Sequence, residues 1–243
     1  MKEIRKRDAA VPVTLVTADD GAFYSKPNLS NALTAGKTAA ALASASAEKM
    51  ADSQNATILA HTRVTAIDTQ ARRIRTDGGE LAYSKLILAL GADPFPHGLS
   101  GSGAAGVLAV NDLADYAAFR AALDGRKRVI VLGGGLIGCE FANDLAHAGF
   151  AVDVVHLGEW PLERLLPVEA GQRLADSLAA LGVTWHFGRS GKRVERTANG
   201  YRIELDNGEA IEAEVVLSAI GLRPRTRLAQ DAGIAAGRGI QVD

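Results

Sequence analysis

The chain has 243 residues, a hydrophobic content of 47% and a formal net charge of −1. This composition is ordinary for a globular α/β protein with a packed core, and the length allows one large domain or two ordinary ones. The balanced charge gives no indication of nucleic-acid binding, no apolar run is long enough to span a bilayer, and the N-terminus lacks the apolar region of a signal peptide. The single cysteine, Cys139, excludes an intrachain disulfide framework, so we expect a cytoplasmic protein with no membrane partner.

The first part of the chain is predicted to form short strands and helices. Residues 1–8 are typical of the end of a helix, and the alanine-rich residues 33–52 predict one or two short helices. Turn residues at 77–79 predict a hairpin between residues 72–75 and 81–83. Further strands are predicted at Val13–Thr17, Ile58–His61, Arg63–Ile67 and Leu86–Leu90, of which the last is apolar enough to be buried.

The second part begins with residues 95–107, which are rich in proline and glycine and predict a linker at a domain boundary. Helices are then predicted at Asp112–Leu123, Cys139–Ala148 and Pro167–Gly182. Strands are predicted at Val129–Leu132, Ala151–His156, Val183–Phe187, around Val194, at Tyr201–Leu205 and at Val215–Ile220. The inward-facing positions expected on two of these helices are Ile137, Phe141 and Leu145, and Leu174, Leu178 and Leu181. The turn at residues 206–208 predicts a hairpin.

The most informative stretch is the glycine loop that follows the strand Val129–Leu132. Gly133, Gly135 and Gly138 have the G-x-G-x-x-G spacing at a strand-to-helix junction. In this arrangement the first glycine makes a tight turn, the second lets the main chain approach a pyrophosphate, and the third lets the helix pack closely on the strand. The anion lies on the free N–H groups of the helix N-terminus. We therefore predict a dinucleotide site that also includes Leu136 and Ile137.

Two stretches of the chain resemble each other. Residues 74–94 contain a hairpin, an apolar run and the ending Gly-Ala-Asp-Pro, and residues 203–224 contain the same elements with the ending Gly-Leu-Arg-Pro. Each stretch is preceded by a strand, a helical segment and another strand, so we infer two copies of one dinucleotide-binding plan. In the first copy only a short segment precedes the strand Val13–Thr17. The glycine loop of the first copy is therefore expected to be missing.

These motifs resemble those of the FAD-dependent pyridine nucleotide-disulfide oxidoreductases, and within them the rubredoxin–NAD reductases of alkane-oxidising bacteria. The segments that carry the resemblance are Thr17–Gly21, Tyr24–Pro27, His61–Asp68, Asn111–Tyr116, Gly135–Leu145 and Gly221–Thr226. The resemblance covers nearly the whole chain. The family's FAD glycine loop and its C-terminal part have no counterpart here, so a fragment that lacks both is expected.

The resemblance implies an α/β fold with two Rossmann-like dinucleotide-binding domains, whose parallel sheets carry β-hairpin or meander additions. The expected domains are a partial FAD-binding domain at residues 1–108, an inserted NAD(H)-binding domain at residues 109–228, and the start of a return to the FAD domain at residues 229–243. FAD and NADH are the implied cofactors.

The resemblance also implies roles for individual residues. Glu140 is expected near the nicotinamide and the flavin, where it contacts the carboxamide. Lys26 is expected against the flavin and the pyrophosphate, and the main chain of Val64 at the adenine. Asp19 and Asp20 end the first strand, where an acid meets the adenosine ribose of FAD, although the Asp-Asp-Gly sequence is equally typical of a plain turn.

At the NAD(H) site, an acid usually ends the second strand and binds the ribose. His156 stands in that place, Glu159 follows three residues later, and Arg164 lies further along the chain. This pattern favours NADH and makes NADPH the weaker alternative. Cofactor-binding roles are assigned to His156, Glu159 and also Gly221 of the Gly-Leu-Arg-Pro ending. No catalytic acid or base is expected, and the histidines have no metal-ligand spacing.

The implied function is electron transfer from NADH through FAD to rubredoxin, in support of alkane hydroxylation. With no second cysteine in the sequence, no dithiol can relay the electrons, so they must leave from the flavin to an external acceptor. A ferredoxin-type iron–sulfur protein is the alternative acceptor. Another interpretation is a chain that binds NAD(H) but not FAD and is catalytically inactive. A short-chain dehydrogenase is disfavoured, because no tyrosine is followed by a lysine four residues later.

Overall fold

The structure, a computed structural model, describes residues 1–242, and their internal contacts divide the chain into two units. Unit 1 comprises residues 1–24, 43–93 and 223–242, and unit 2 comprises residues 25–42 and 94–222. The expected domain boundaries group residues 25–42 with the first domain, whereas the structure packs them within unit 2.

The helices are α1 (Lys2–Arg7), α2 (Ala39–Leu42), α3 (Ala47–Gln54), α4 (Leu113–Ala122), α5 (Leu136–His147), α6 (Val168–Ala180) and α7 (Arg227–Asp231). The strands are β1 (Thr14–Val16), β2 (Thr57–Leu59), β3 (Val64–Asp68), β4 (Arg73–Thr76), β5 (Gly79–Ala82), β6 (Ala92–Pro94), β7 (Arg128–Leu132), β8 (Ala151–His156), β9 (Val183–Phe187), β10 (Gly191–Thr197), β11 (Gly200–Leu205), β12 (Ala210–Ala213), β13 (Val215–Ser218) and β14 (Leu222–Pro224). Short 3-10 turns lie at Lys26–Ser30 and Ala104–Gly106. No helix within residues 1–242 is both long and apolar enough to cross a lipid bilayer.

A parallel sheet of four strands, in the order β13-β7-β8-β9, forms the centre of unit 2. Its central strand β7 is buried on both faces. Val129 and Val131 pack in a core with residues of α4, α5 and α6, whereas Ile130 and Leu132 pack in a second core with residues of β10, β11 and β12. Burial on both faces explains the continuous apolar run of this strand. The predicted strand–loop–helix–strand order is confirmed.

Helix α5 packs on the sheet through the predicted residues. Phe141 and Leu145 are buried, and Ile137 is partly buried against the same core. The ring of Phe141 meets that of Phe119 in α4 edge to face, with their centroids 5.5 Å apart. This packing places the N-terminus of α5 at the end of β7.

The repeated sequence forms an antiparallel meander in each unit. Strands β3, β4 and β5 pair in unit 1, and strands β10, β11 and β12 pair in unit 2. The hairpins predicted at residues 77–79 and 206–208 are both present. Gly79 and Gly208 have φ angles of 130° and 86°, a backbone region that glycine adopts readily.

Two predictions from apolar patterns are wrong. Residues 86–90 were expected to form a buried strand, but they form none, and Ile87 is 73% exposed. A strand needs a hydrogen-bonded neighbour, and within residues 1–242 no strand pairs with this segment. Leu181 was expected to face inward but is 41% exposed, because it is the C-cap residue of α6 and lies beyond the last buried turn.

The glycine-rich residues 95–107 were predicted to be a linker, but they pack against β10. The N–H of Gly103 donates to the carbonyl of Val194 at 3.0 Å. A Cβ atom at Gly101 would collide with the same carbonyl, so the absent side chain permits this approach. The boundary between the units lies instead at residues 93 and 94.

Residues 25–42 are fastened to α5 by a buried carboxylate. Asp144 is only 4% exposed and accepts hydrogen bonds from the N–H groups of Leu33 at 2.8 Å and Thr34 at 3.0 Å. The hydroxyl of Tyr116 in α4 donates to the carbonyl of Lys37 at 2.9 Å and holds the far end of the segment. Hydrogen bonds to an ionised acceptor are strong, so Asp144 is the main attachment.

The substitution Asp144→Asn is expected to lower the free energy of unfolding by about 2 kcal/mol, because the amide replaces a charged acceptor and sets an N–H donor against a second donor. Urea denaturation measures the change. Asp176→Asn on the exposed face of α6 is the matched control and should change the free energy by less than about 0.5 kcal/mol. Equal losses in the two variants would contradict the role given to Asp144.

Candidate dinucleotide site

Two glycines of the loop between β7 and α5 are required by close packing. Gly133 has a φ angle of 105°, and a Cβ atom there would lie 2.6 Å from the carbonyl oxygen of Ala219. A Cβ atom at Gly138 would collide with the carbonyl oxygen of Gly133. These contacts bring the first turn of α5 directly against the end of the sheet, as the glycine spacing predicts.

The middle glycine of the motif has a different environment. A Cβ atom at Gly135 would meet nothing within 4 Å, so the main chain there is open on the side where a side chain would project. Gly135 is the N-cap of α5, and no side chain caps this helix. The N–H groups of a first helical turn lack partners within the helix and remain available to an anion. The loop therefore fits a pyrophosphate.

Leu136 and Ile137 form the first turn of α5 beside this open main chain. Leu136 is 54% exposed, whereas Ile137 packs partly against the core. Their predicted part in the site is thus through their N–H groups. Gly221 follows β13, has a φ angle of 117°, and accepts a hydrogen bond from the N–H of Phe95 at 3.0 Å.

His156, at the end of β8, lies beneath the loop. Its Nδ1 accepts a hydrogen bond from the N–H of Gly134 at 3.1 Å. Burial of the ring lowers the pKa of His156 below its usual value. The negative charge of Glu163 raises the pKa, but this effect is smaller than that of burial. The neutral imidazole is thus the form that serves as this acceptor.

Two acids follow β8. Glu159 is exposed and has no hydrogen-bond or ion-pair partner among the described residues. The carboxylate of Glu163 covers the main chain of Gly158, where a Cβ atom would collide with it. The sequence pattern did not indicate Glu163, because it lies seven residues after His156 and only the fold of the intervening loop brings it near the end of β8. Both carboxylates lie near the end of the strand that usually carries the ribose-binding acid.

Glu140 is hydrogen-bonded to the segment of residues 25–42. The hydroxyl of Ser30, a residue that is only 5% exposed, donates to Oε2 of Glu140 at 2.5 Å. The ammonium of Lys26 donates to Oδ1 of Asn111 at 2.8 Å. The structure thus brings Glu140 and its positioning residue Ser30 together in unit 2, and sequence analysis missed Ser30 because its partner lies 110 residues away.

Three of the candidate FAD residues, Asp19, Asp20 and Val64, lie in unit 1, whereas Lys26 lies in unit 2. Asp19 accepts hydrogen bonds from the hydroxyl of Thr17 at 2.6 Å and the N–H of Gly21 at 2.9 Å, both through Oδ1. Asp20 accepts from the N–H of Ala22 at 3.0 Å, also through Oδ1. The two exposed acids therefore form a turn and keep their Oδ2 atoms outside these bonds. Val64 begins β3.

Cys139 is buried beside the glycine loop. Its thiol donates to the carbonyl of Gly134 at 3.4 Å, and burial raises the pKa of Cys139 to about 11. The thiolate, which is the reactive form, is therefore scarce at neutral pH. Within residues 1–242 no group of His, Cys, Asp and Glu side chains has the arrangement of a metal site.

The two kinds of glycine should respond differently to alanine. Gly138→Ala is expected to lower the free energy of unfolding by about 1–3 kcal/mol, because its Cβ overlaps the Gly133 carbonyl. Gly135→Ala should lower it by at most about 0.5–1 kcal/mol, because its Cβ projects into open space and only the N-cap preference for glycine over alanine is lost. Urea denaturation of both variants measures the difference, and equal destabilisation would contradict this geometry.

The chain is similar to proteins of one family. Residues 1–243 match the family model described as Pyridine nucleotide-disulphide oxidoreductase. The chain is 48% identical to a Rubredoxin-NAD(+) reductase of Alcanivorax borkumensis, over 100% of this chain and 64% of that protein. It is 40% identical to a Nitric oxide reductase FlRd-NAD(+) reductase of Aeromonas salmonicida, over 100% of this chain and 62% of that protein.

A solved structure, a ferredoxin reductase from Rhodopseudomonas palustris, superimposes with a TM-score of 0.90 at 24% identity, over 98% of this chain and 59% of that one. This similarity confirms the predicted α/β fold with parallel sheets. The chain spans less than two thirds of the length of these relatives. From the family match and the identity over its whole length, we conclude that the chain belongs to the pyridine nucleotide-disulphide oxidoreductase family.

Proposed function

We propose that this chain contributes the NADH site and part of the FAD site of a flavoprotein that passes electrons from NADH through FAD to rubredoxin. The observation that carries the proposal is the open main chain of Gly135 between two glycines that pack tightly. Where a side chain would collide with a neighbouring group, packing alone explains why the residue is glycine. Gly135 is not needed for packing, so its lack of a side chain is best explained by a ligand that approaches the backbone.

The residues of unit 2 would bind and orient NADH. The N–H groups of Gly135, Leu136 and Ile137 would hold the pyrophosphate at the positive end of the α5 dipole. Glu140 lies one turn further along α5, and the Ser30 hydroxyl fixes one of its carboxylate oxygens. The other oxygen is then an oriented acceptor for an amide donor, which suits the proposed contact with the nicotinamide carboxamide.

The residues of unit 1 suit part of an FAD site. Asp19 and Asp20 use Oδ1 in the turn after β1, which leaves carboxylate oxygens as acceptors for ribose hydroxyls. Bound FAD supplies the chemistry that accepts a hydride and releases single electrons. The only cysteine, Cys139, is buried with a raised pKa, so this chain offers no thiol relay and the electrons would pass to an external acceptor.

Rubredoxin is the proposed acceptor. The support is the name of a relative that is 48% identical over the whole of this chain, Rubredoxin-NAD(+) reductase. A ferredoxin-type protein is the other iron–sulfur acceptor to test beside it. The purified chain, incubated with FAD, should retain the visible absorption of oxidised flavin and lose it on addition of NADH. A colourless chain that still binds NADH would support the NAD(H)-binding interpretation instead.

The Gly135→Ala variant tests the site itself. Its dissociation constant for NADH should rise at least ~10-fold, because the added methyl group occupies the path of the phosphates, while its stability falls by at most about 1 kcal/mol. Quenching of tryptophan fluorescence by NADH measures the affinity. Gly239→Ala is the matched control, since its Cβ also meets nothing within 4 Å, and it should bind NADH normally. Unchanged affinity in Gly135→Ala would overturn the proposed site.

Glu163 is expected to favour NADH over NADPH, because its carboxylate at the end of β8 repels a ribose 2′-phosphate. Glu163→Gln should reduce the ratio of the NADPH dissociation constant to the NADH dissociation constant by about threefold to tenfold, an ordinary effect for one exposed charge. Glu159→Gln is the comparison. If Glu159→Gln alone narrows the ratio, Glu159 rather than Glu163 faces the phosphate.

A further inference from the structure

Gly134, between the first two glycines of the motif, is held through both of the peptide groups that flank its Cα atom. Its N–H donates to Nδ1 of His156 at 3.1 Å. Its carbonyl accepts a hydrogen bond from the N–H of Leu162 at 2.9 Å. The N–H belongs to the Gly133–Gly134 peptide, and the carbonyl belongs to the Gly134–Gly135 peptide, which carries the N–H of Gly135. Together the two hydrogen bonds therefore determine where the following N–H groups point.

The imidazole of His156 has little freedom to turn away. A Cβ atom at Gly134 would lie 2.9 Å from Cγ of His156 and 3.1 Å from the ring of Trp185, so the ring packs directly under the loop. Phe187 meets the imidazole edge to face at a centroid distance of 6.4 Å, and Trp185 stacks on Phe187 at 4.9 Å. The imidazole therefore packs against the glycine loop, and its Nδ1 faces the Gly134 N–H.

This contact requires one protonation state. An N–H donor needs a bare nitrogen as acceptor, so the proton of the neutral ring lies on Nε2. Nε2 is buried and makes no hydrogen bond of standard geometry among the described residues, and the nearby backbone of Trp160 raises the pKa of the ring. A second proton on Nδ1 would set two donors against each other. The charged side chains that face the ring are Glu163, which favours the imidazolium, and Arg164, which opposes it.

We propose that His156 is a positioning residue of the nucleotide site, which orients the Gly133–Gly134 peptide for phosphate binding and weakens NAD(H) affinity when Nδ1 gains a proton. The inference rests on the proposed NADH site and adds to it a pH-sensitive support. The position that usually supplies a ribose-binding acid here supplies an acceptor for the loop itself.

The loss of the Nδ1 acceptor sets the sign of the pH dependence, and burial, the largest influence on the pKa of His156, sets its pH range. Because burial lowers the pKa of His156, the ring stays neutral through the neutral range and gains its proton only below its ordinary value near 6.5. NADH affinity should accordingly be constant from about pH 8 to about pH 7 and should fall as the pH drops toward about 5.

Two variants distinguish the effect of the hydrogen-bond acceptor at position 156 from the effect of its protonation. His156→Asn keeps an acceptor oxygen close to the position of Nδ1 but does not titrate, and His156→Leu fills the space without an acceptor. At about pH 8, His156→Leu should bind NADH about tenfold more weakly than the unsubstituted chain because the Gly134 N–H loses its partner, and His156→Asn should bind more tightly than His156→Leu because it restores an acceptor. Toward about pH 5 the unsubstituted chain should approach His156→Leu, and His156→Asn should show no such fall.

Affinity is measured by stopped-flow quenching of tryptophan fluorescence, which is complete before NADH decays in acid. Glu163→Gln and Arg164→Gln control for the facing charges and should move the midpoint of the pH profile down and up, respectively. A second readout needs no nucleotide. The amide resonance of Gly134 should shift with pH in the unsubstituted chain and stay constant in His156→Asn.

The outcomes are distinct. If the unsubstituted chain binds no NADH at any pH, the proposed function fails, and with it the effect on affinity. If it binds NADH but His156→Leu has the same affinity, the positioning role is overturned. If the fall at low pH persists in His156→Asn, or if the Gly134 amide does not move with pH, another group is responsible and the assignment to His156 is wrong.

Discussion

The rest of unit 2 depends on one close approach, that of Gly138 in the first turn of α5 to the carbonyl of Gly133. A single methyl group at Gly138 would occupy the space of that carbonyl oxygen. Because the two backbones meet there, the helix begins directly at the end of β7 and its first N–H groups emerge beside the open main chain of Gly135. The proposed site for an anion thus follows from a contact between two stretches of backbone.

A second constraint runs along α5. Glu140 and Asp144 are one helical turn apart, and both accept hydrogen bonds from the segment of residues 25–42. An acid in a helix is more often solvated, and here both acids face a neighbouring segment instead. Asp144 anchors the segment through its N–H groups, and Ser30 of the same segment orients Glu140. One piece of packing therefore serves both stability and the proposed function.

The predictions that succeeded were local ones. The glycine loop, the β-α-β order and the hairpin turns depend on residues close together in sequence, where spacing and backbone preference suffice. The predictions that failed depend on which other segment of the chain packs against the segment in question. Residues 86–90 have the composition of a buried strand, but a strand exists only when another pairs with it. Residues 95–107 have the composition of a linker, and β10 makes them part of a packed unit.

The sequence by itself determined the family, the α/β class and the place of the glycine loop, because glycine spacing and apolar periodicity are properties of short segments. Only the tertiary structure decided what His156, Ser30 and Asp144 do. Each of these side chains is defined by a partner that is far away in the sequence: Gly134, Glu140 and the N–H groups of residues 33 and 34, respectively. Hydrogen bonds are short and directional, so their partners become known only when the fold brings the two groups within about 3 Å. The loop's glycines could be read from their spacing, whereas the imidazole beneath them could not.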